Sequence, residues 1–204
     1  MDDKNEIAII PEDVEKKQSF GRKSVNFVFD WLETLFFAFC FVVIVFTFLF
    51  KVVTVKGPSM NYTLYENQRL AITSFLYTPK RGDIVVIDTP KFDEPIIKRV
   101  IAVEGDTVDI DFNNWIVTVT TKDGEIIKYE NEPYVNYIEG AKMGDGNIQK
   151  YPLYVEEGKI FAMGDNRTQS TDSRAKGLFG EDEIIGKAVF RLYPFNKIGT
   201  LYRK

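Results

Sequence analysis

Along this chain, apolar positions first fall in one unbroken run and then in a period of two. Trp31 to Phe50 is twenty residues with a single charge, Glu33. As a helix, that length crosses a ~30 Å hydrocarbon core, and no Pro or Gly interrupts it. A cleavable leader has a shorter apolar core followed by a small-residue cleavage site. Here the exit reads Phe50-Lys51-Val52-Val53-Thr54-Val55, so the run predicts a retained transmembrane anchor rather than a buried core helix. Beyond it, Val52–Val55, Arg69–Ile72, Asp83–Ile87, Ile96–Val103 and Thr107–Ile110 alternate as strands do. Turn residues separate them at 79–82, 104–106, 113–114 and 122–124. Trp115–Thr121 and Glu125–Glu130 predict a hairpin across Asp123-Gly124. Lys159–Met163 and Lys187–Leu192 are later strands, Glu181–Ile185 a turn or strand lead-in, and the Gly-rich stretch 136–149 a loop. Closely spaced strands without a long amphipathic helix predict a mainly antiparallel β-sheet or barrel-like domain after one N-terminal transmembrane helix.

The division follows: a polar tail at residues 1–30, mostly disordered and helical from Ser24, a span at 31–50, and a β domain at 51–204. The net charge of −4 over 204 residues adds little, because 21 basic and 22 acidic residues from Lys51 onward nearly cancel. With no basic patch carrying interleaved aromatics, nucleic acid is a poor partner. Lys16, Lys17, Arg22 and Lys23 precede the span, and only Lys51 and Lys56 follow it closely. That asymmetry predicts a cytoplasmic tail and an extracytoplasmic β domain. The single Cys40 lies in the apolar run and excludes an internal disulfide.

The absence of His carries more chemistry than any other feature of composition. It excludes Ser-His-Asp and Cys-His catalysis and His-ligated zinc. A nucleophilic Ser must then find its base in Lys, a carboxylate or a metal-bound water. Ser59, in Lys56-Gly57-Pro58-Ser59-Met60-Asn61-Tyr62-Thr63-Leu64, stands a few residues beyond the span. Lys98, in Ile97-Lys98-Arg99-Val100-Ile101, interrupts an otherwise apolar strand face shared with Ile96 and Val100. A Lys there is unusual, because Lys is rarely buried unpaired. Burial lowers its pKa toward neutrality, which suits it to act as a base. Met163-Gly164-Asp165-Asn166-Arg167-Thr168-Gln169-Ser170-Thr171-Asp172-Ser173-Arg174 then follows an apolar strand with a dense polar run.

In that order the three stretches resemble bacterial type I signal peptidase, from Trp31 to about Arg191. The resemblance implies a membrane-bound serine endopeptidase with Ser59 as nucleophile and Lys98 as general base, without metal or organic cofactor. It implies that Ser170 hydrogen-bonds and orients Lys98. It also implies that Asp165, Asp172, Arg174 and Arg99 hold the site, with Asp172–Arg174 and Asp165–Arg99 as the expected pairs. The Ser59 backbone N–H is the expected oxyanion donor. Two positions depart from the family: Gly57, where some members carry a Ser that adds an oxyanion donor, and Tyr62, where Pro is usual. The implied substrates are exported preproteins cleaved after small-x-small sites, at the plasma membrane of a bacterium. Phe75, Leu76 and Tyr77 are candidate contacts with the bilayer, core packing being the competing reading. The rival functions are a Ser/Lys self-cleaving repressor domain and a catalytically silent, membrane-anchored β binding module. The first would carry a DNA-binding unit where this chain has a span.

Overall fold

The structure is a computed structural model. It describes residues 12–144 and 149–201, with the backbone alone for residues 12–26, 46 and 48. Of the loop expected at 136–149, residues 145–148 lie outside the described residues, as does the tail before residue 12. The chain divides into two compact units, Met1–Phe48 and Leu49–Lys204.

The first unit is helix α1, Glu12–Leu49. Within it, Phe27–Val45 is long and apolar enough to cross a membrane, and none of that window is buried. The helix corrects the expectation of disorder before Ser24. Lys16, Lys17 and Gln18 are good helix formers. A polar segment continuous with an apolar helix extends it without a new nucleation cost.

The second unit is two antiparallel sheets. The strands in chain order are β1 Lys51–Thr54, β2 Arg69–Thr73, β3 Ile84–Ile87, β4 Ile96–Val103, β5 Thr107–Asp111 and β6 Ile116–Thr120. They continue with β7 Ile126–Tyr129, β8 Leu153–Tyr154, β9 Lys159–Met163, β10 Phe179–Gly180, β11 Ile184–Tyr193 and β12 Gly199–Thr200. A one-turn helix α2, Ser173–Lys176, lies between β9 and β10. The larger sheet runs β1-β2-β11-β3-β4-β9-β10, with β12 on β11, and the smaller runs β7-β6-β5-β8. The expected strands appear within one or two residues of their bounds except β11, which begins three residues before Lys187, and the β6–β7 hairpin pairs Thr120 with Ile126. The unexpected strands, β8, β10 and β12, have two residues each, too few for alternation to register. Glu181–Glu183 forms a 3-10 turn that leads into β11.

The period-two pattern resolves into three apolar clusters. Ile101, Val108, Val117, Val119, Phe161 and Met163 join the smaller sheet to β4 and β9. Val55, Met60, Leu64, Leu70, Ile84 and Ile97 form a second cluster, and Val85, Val100, Ile160, Ala162 and Phe179 a third. Strand β4 contributes to all three, which explains why its six central residues are buried on both faces. It pairs with β3 along Ile96–Arg99 and with β9 only from Arg99 onward. On the β9 side, therefore, Ile96, Ile97 and Lys98 form an unpaired edge. Val100 exchanges backbone hydrogen bonds with the 82–83 turn beside β3. Alternation then aims the N–H and C=O of Ile97 the other way, toward that open edge.

Candidate active site

Ser59 is positioned by the residues after it. Met60 and Leu64 are buried at 1% and 0% exposure and act as apolar anchors. Between them Asn61 N–H donates to Pro58 O at 3.0 Å, and Leu64 N–H to Met60 O at 2.8 Å. Ser59 itself stays half-buried. Its carbonyl accepts Asn166 N–H at 3.0 Å, and Asn166 Nδ2 donates to Pro58 O at 3.2 Å. The Ser59 N–H has no acceptor among the described residues.

Lys98 reaches this turn from β4, its Nζ 2.8 Å from Ser59 Oγ. Only 2% of Lys98 is exposed. Burial lowers its pKa to about 8; the Asp172 and Asp165 carboxylates oppose that fall and the Arg174 guanidinium adds to it. At pH 7 roughly one Lys98 in ten is then neutral, against about one in three thousand for a solvated amine. A Ser hydroxyl thus faces an amine that is neutral often enough to take its proton.

Both expected ion pairs form. Arg99 grips Asp165 in bidentate fashion, Nε to Oδ1 at 2.7 Å and Nη2 to Oδ2 at 2.6 Å. The third guanidinium nitrogen donates to Gly82 O at 2.9 Å, and the Tyr134 ring lies 4.0 Å from the Arg99 carbon. Thr63, four residues beyond Ser59, hydrogen-bonds the same Asp165 carboxylate. Arg174 binds Asp172 through Nε and Nη2, both at 2.8 Å. Burial works to raise the Asp172 pKa, but Arg174 and the Gly164 N–H outweigh it and leave the pKa below its usual value. Asp172 also caps α2 by accepting the Arg174 N–H. Through these pairs the 164–174 stretch, which also reads as a surface turn, becomes a buried frame: Asp165, Arg167, Asp172, Ser173 and Arg174 are all under 5% exposed.

Ser170 departs from expectation. Its Oγ is buried and makes no hydrogen bond of normal geometry, so the bond to Lys98 is absent. It is still near enough to the Asp172 carboxylate to help keep it ionised. Gly164 is the residue that the sequence reading passed over. A Cβ built there would stand 2.2 Å from Ser170 Oγ and 2.4 Å from Ser59 O. The absence of a side chain at Gly164 therefore lets the Ser59 backbone and the 164–174 loop close on each other. The only sequence signal for this is the position of Gly164 beside Asp165. Gly57 has φ +70° with nothing within 4 Å of an added Cβ, and Tyr62 is 54% exposed. Neither departure touches the Ser59–Lys98 contact. Among the described residues no group of three or more acidic or thiol side chains could hold a metal.

Phe75 and Leu76 are 67% and 88% exposed, which removes core packing as their explanation. They follow β2 at the end of the sheet where Lys51 opens β1, paired with Ile72. Tyr77 turns inward instead, its hydroxyl donating to Asp83 Oδ2 at 2.8 Å.

The profile of the family described as signal peptidase, peptidase S26, matches residues 28–193. Signal peptidase IB of Staphylococcus aureus (strain COL) is 35% identical over 184 residues, 83% of this chain and 92% of its own. Signal peptidase I P of Bacillus subtilis subsp. natto is 35% identical over 181 residues, 87% of this chain and 95% of its own. A crystal structure of a signal peptidase I from Enterococcus faecalis V583 aligns with 55% of this chain and 98% of its own at 24% identity, with a TM-score of 0.44. By a family profile spanning most of the chain and relatives matched over nearly their whole length, this protein belongs to the signal peptidase family, peptidase S26.

Proposed function

We propose that this protein removes signal peptides from exported preproteins by a Ser59/Lys98 mechanism. The observation that carries the reading is the 2.8 Å contact between the Ser59 hydroxyl and a buried Lys98 amine whose pKa has fallen to about 8. A preprotein segment lies extended along the open edge of β4, hydrogen-bonded to the Ile97 peptide groups as an added strand. Small side chains at the first and third positions before the scissile bond fill shallow pockets. Neutral Lys98 takes the Ser59 proton as Oγ attacks the scissile carbonyl. The free Ser59 N–H stabilises the oxyanion. The ammonium returns the proton to the leaving amine, giving an acyl-enzyme and the released mature amino terminus. Lys98 then activates water, which attacks the ester and frees the signal peptide and Ser59. Arg99–Asp165 and Asp172–Arg174 hold the loop that fixes Ser59 and Lys98, and Ser170 contributes packing against Gly164.

The helix span anchors the enzyme with residues 1–30 cytoplasmic and residues 51–204 extracytoplasmic, in line with the basic residues before the span. Exposed Phe75 and Leu76 rest on the bilayer and keep Ser59 at the surface, where a membrane-held signal peptide presents its cleavage site. Cleavage of a preprotein in detergent micelles by wild type, Ser59→Ala and Lys98→Ala tests the reading. Product from wild type alone, cut after a small-x-small site, is the expected result. Activity retained in Lys98→Ala would transfer the base to another group, with Asp165 the next candidate. A silent wild type would favour the anchored binding module.

A further inference from the structure

Two side-chain contacts join the segment that leads to Ser59 and the segment that leads to Lys98, the two walls of the path beside the open β4 edge. At one, Lys98 Nζ meets Ser59 Oγ at 2.8 Å. At the other, Lys56 Nζ meets Glu94 Oε2 at 2.6 Å. Lys56 lies three residues before Ser59, and Glu94 four before Lys98. Both walls therefore leave the dyad in the same sense, and the second crossing lies three residues from Ser59 on one wall and four from Lys98 on the other. Between the crossings run Gly57 and Pro58 on one wall and Pro95, Ile96 and the open Ile97 edge on the other.

The fold has little use for the outer pair. The Lys56 and Glu94 side chains are 68% and 60% exposed, and an exposed pair adds little to stability. The two walls are anchored without it, through Val55 at 2% exposure and Ile97 at 9% in the same apolar cluster. What distinguishes the pair is its place, one charge on each wall and both side chains mostly exposed to solvent.

We propose that Lys56 and Glu94 are specificity-determining residues, a charged clasp over the cleft that reads the substrate side chain passing beneath it, three to five positions from the bond cleaved. This inference rests on the reading of Ser59 and Lys98 as the catalytic pair. In an extended peptide alternate side chains point inward and outward, and an outward one at this distance meets the clasp. A neutral side chain leaves the pair closed above it. An acidic one takes Lys56 from Glu94, and a basic one takes Glu94 from Lys56. The displaced partner returns to water at little cost, because it is already mostly hydrated. The intact pair therefore accepts either charge, whereas each half alone discriminates.

The test uses the full chain in detergent micelles. A preprotein is prepared with Glu, Gln or Lys placed singly at the third to fifth positions on either side of the cleaved bond, except the small residue third before it. Wild type, Glu94→Gln, Lys56→Gln and the swap Lys56→Glu/Glu94→Lys are compared by their kcat/KM ratio for Glu- over Lys-bearing substrate, with Gln as the reference within each variant. Wild type and the swap should stay near unity. Glu94→Gln should favour Glu over Lys by about two- to fivefold at one or two adjacent positions, and Lys56→Gln should reverse the preference. The difference should lie in KM and fade in 1 M salt, where screening is nearly complete. Ratios unchanged in both single variants would overturn the clasp. So would a preference spread evenly over every position, which would mark a long-range field, or one confined to kcat. Ser59→Ala keeps the two proposals apart. Loss of Gln-substrate cleavage in that variant, with the ratios unmoved, leaves the dyad reading standing and removes the clasp. No cleavage by wild type removes both.

Discussion

Replacing Lys98 with Met should make the protein more stable while abolishing its activity. Lys98 is 2% exposed, and burial brings its pKa from 10.5 to about 8. That fall corresponds to about 3.4 kcal/mol by which the folded state disfavours the charged amine. Met has a similar unbranched shape and no such cost. It gives up the contact with Ser59 Oγ, about 1 kcal/mol, which leaves a net gain of about 2 kcal/mol. For a chain of this size that is a rise of roughly 4–8 °C in Tm. The dependence on pH follows from the direction of the shift. Below pH 8 Lys98 is protonated in both states, and wild type bears the full cost. Between pH 8 and 10.5 the folded state has lost the proton while the unfolded chain keeps it, so wild-type stability rises with pH. Above 10.5 neither state is charged, and the cost is gone. The Tm difference between Lys98→Met and wild type should therefore be widest below pH 8 and close by pH 10.5. Thermal unfolding of both proteins in the same detergent from pH 6 to 10.5 measures it, beside a cleavage assay in which the variant falls at least about 10²-fold. A variant no more stable than wild type at pH 7, or a difference indifferent to pH, would refute the claim that the fold holds Lys98 in an unfavourable buried state.

Other outcomes follow from the same geometry. Wild-type kcat/KM should climb with pH and level off above about 8 as Lys98 loses its proton, a profile read directly from initial rates. Gly164→Ala forces Ser59 O and Ser170 away from a new methyl group. A misplacement near 1 Å should cost about 10²-fold in kcat, measured in the preprotein assay, and normal turnover would show that the loop yields instead. Asp165→Asn leaves the Arg99 guanidinium buried without its counter-charge, which should destabilise by about 3–5 kcal/mol; a Tm close to wild type would mean that Gly82 O, Thr63 and Tyr134 suffice to hold Arg99. The double change Phe75→Ser/Leu76→Ser, on side chains 67% and 88% exposed, should keep stability within about 0.5 kcal/mol while weakening liposome binding, and unchanged binding would remove these residues from the bilayer contact.

The sequence by itself determined the kind of protein this is. A twenty-residue apolar run followed by alternation specifies a helix and then a sheet, because side chains repeat with the 3.6 and 2.0 periods of those elements. The lack of His excluded His-based catalysis, and Ser59, Lys98 and the 164–174 run carried the resemblance that implies a Ser/Lys pair. The Asp165–Arg99 and Asp172–Arg174 pairs were legible only through the resemblance to signal peptidase, and both are present as buried ion pairs. Only the tertiary structure decided how these residues meet. Ser59 and Lys98 lie 39 positions apart, and their 2.8 Å contact exists because Met60 and Leu64, just after Ser59, pack into the same apolar cluster as Ile97 of β4. The same packing decides that Ser170 sits against Gly164 rather than bonding Lys98, that Phe75 and Leu76 face outward, and that Lys56 and Glu94 meet across the cleft. Periodicity reports which face of an element is buried, but not which distant element covers it. Contacts between loops, set by chain path and close packing, carry no period for a sequence to display.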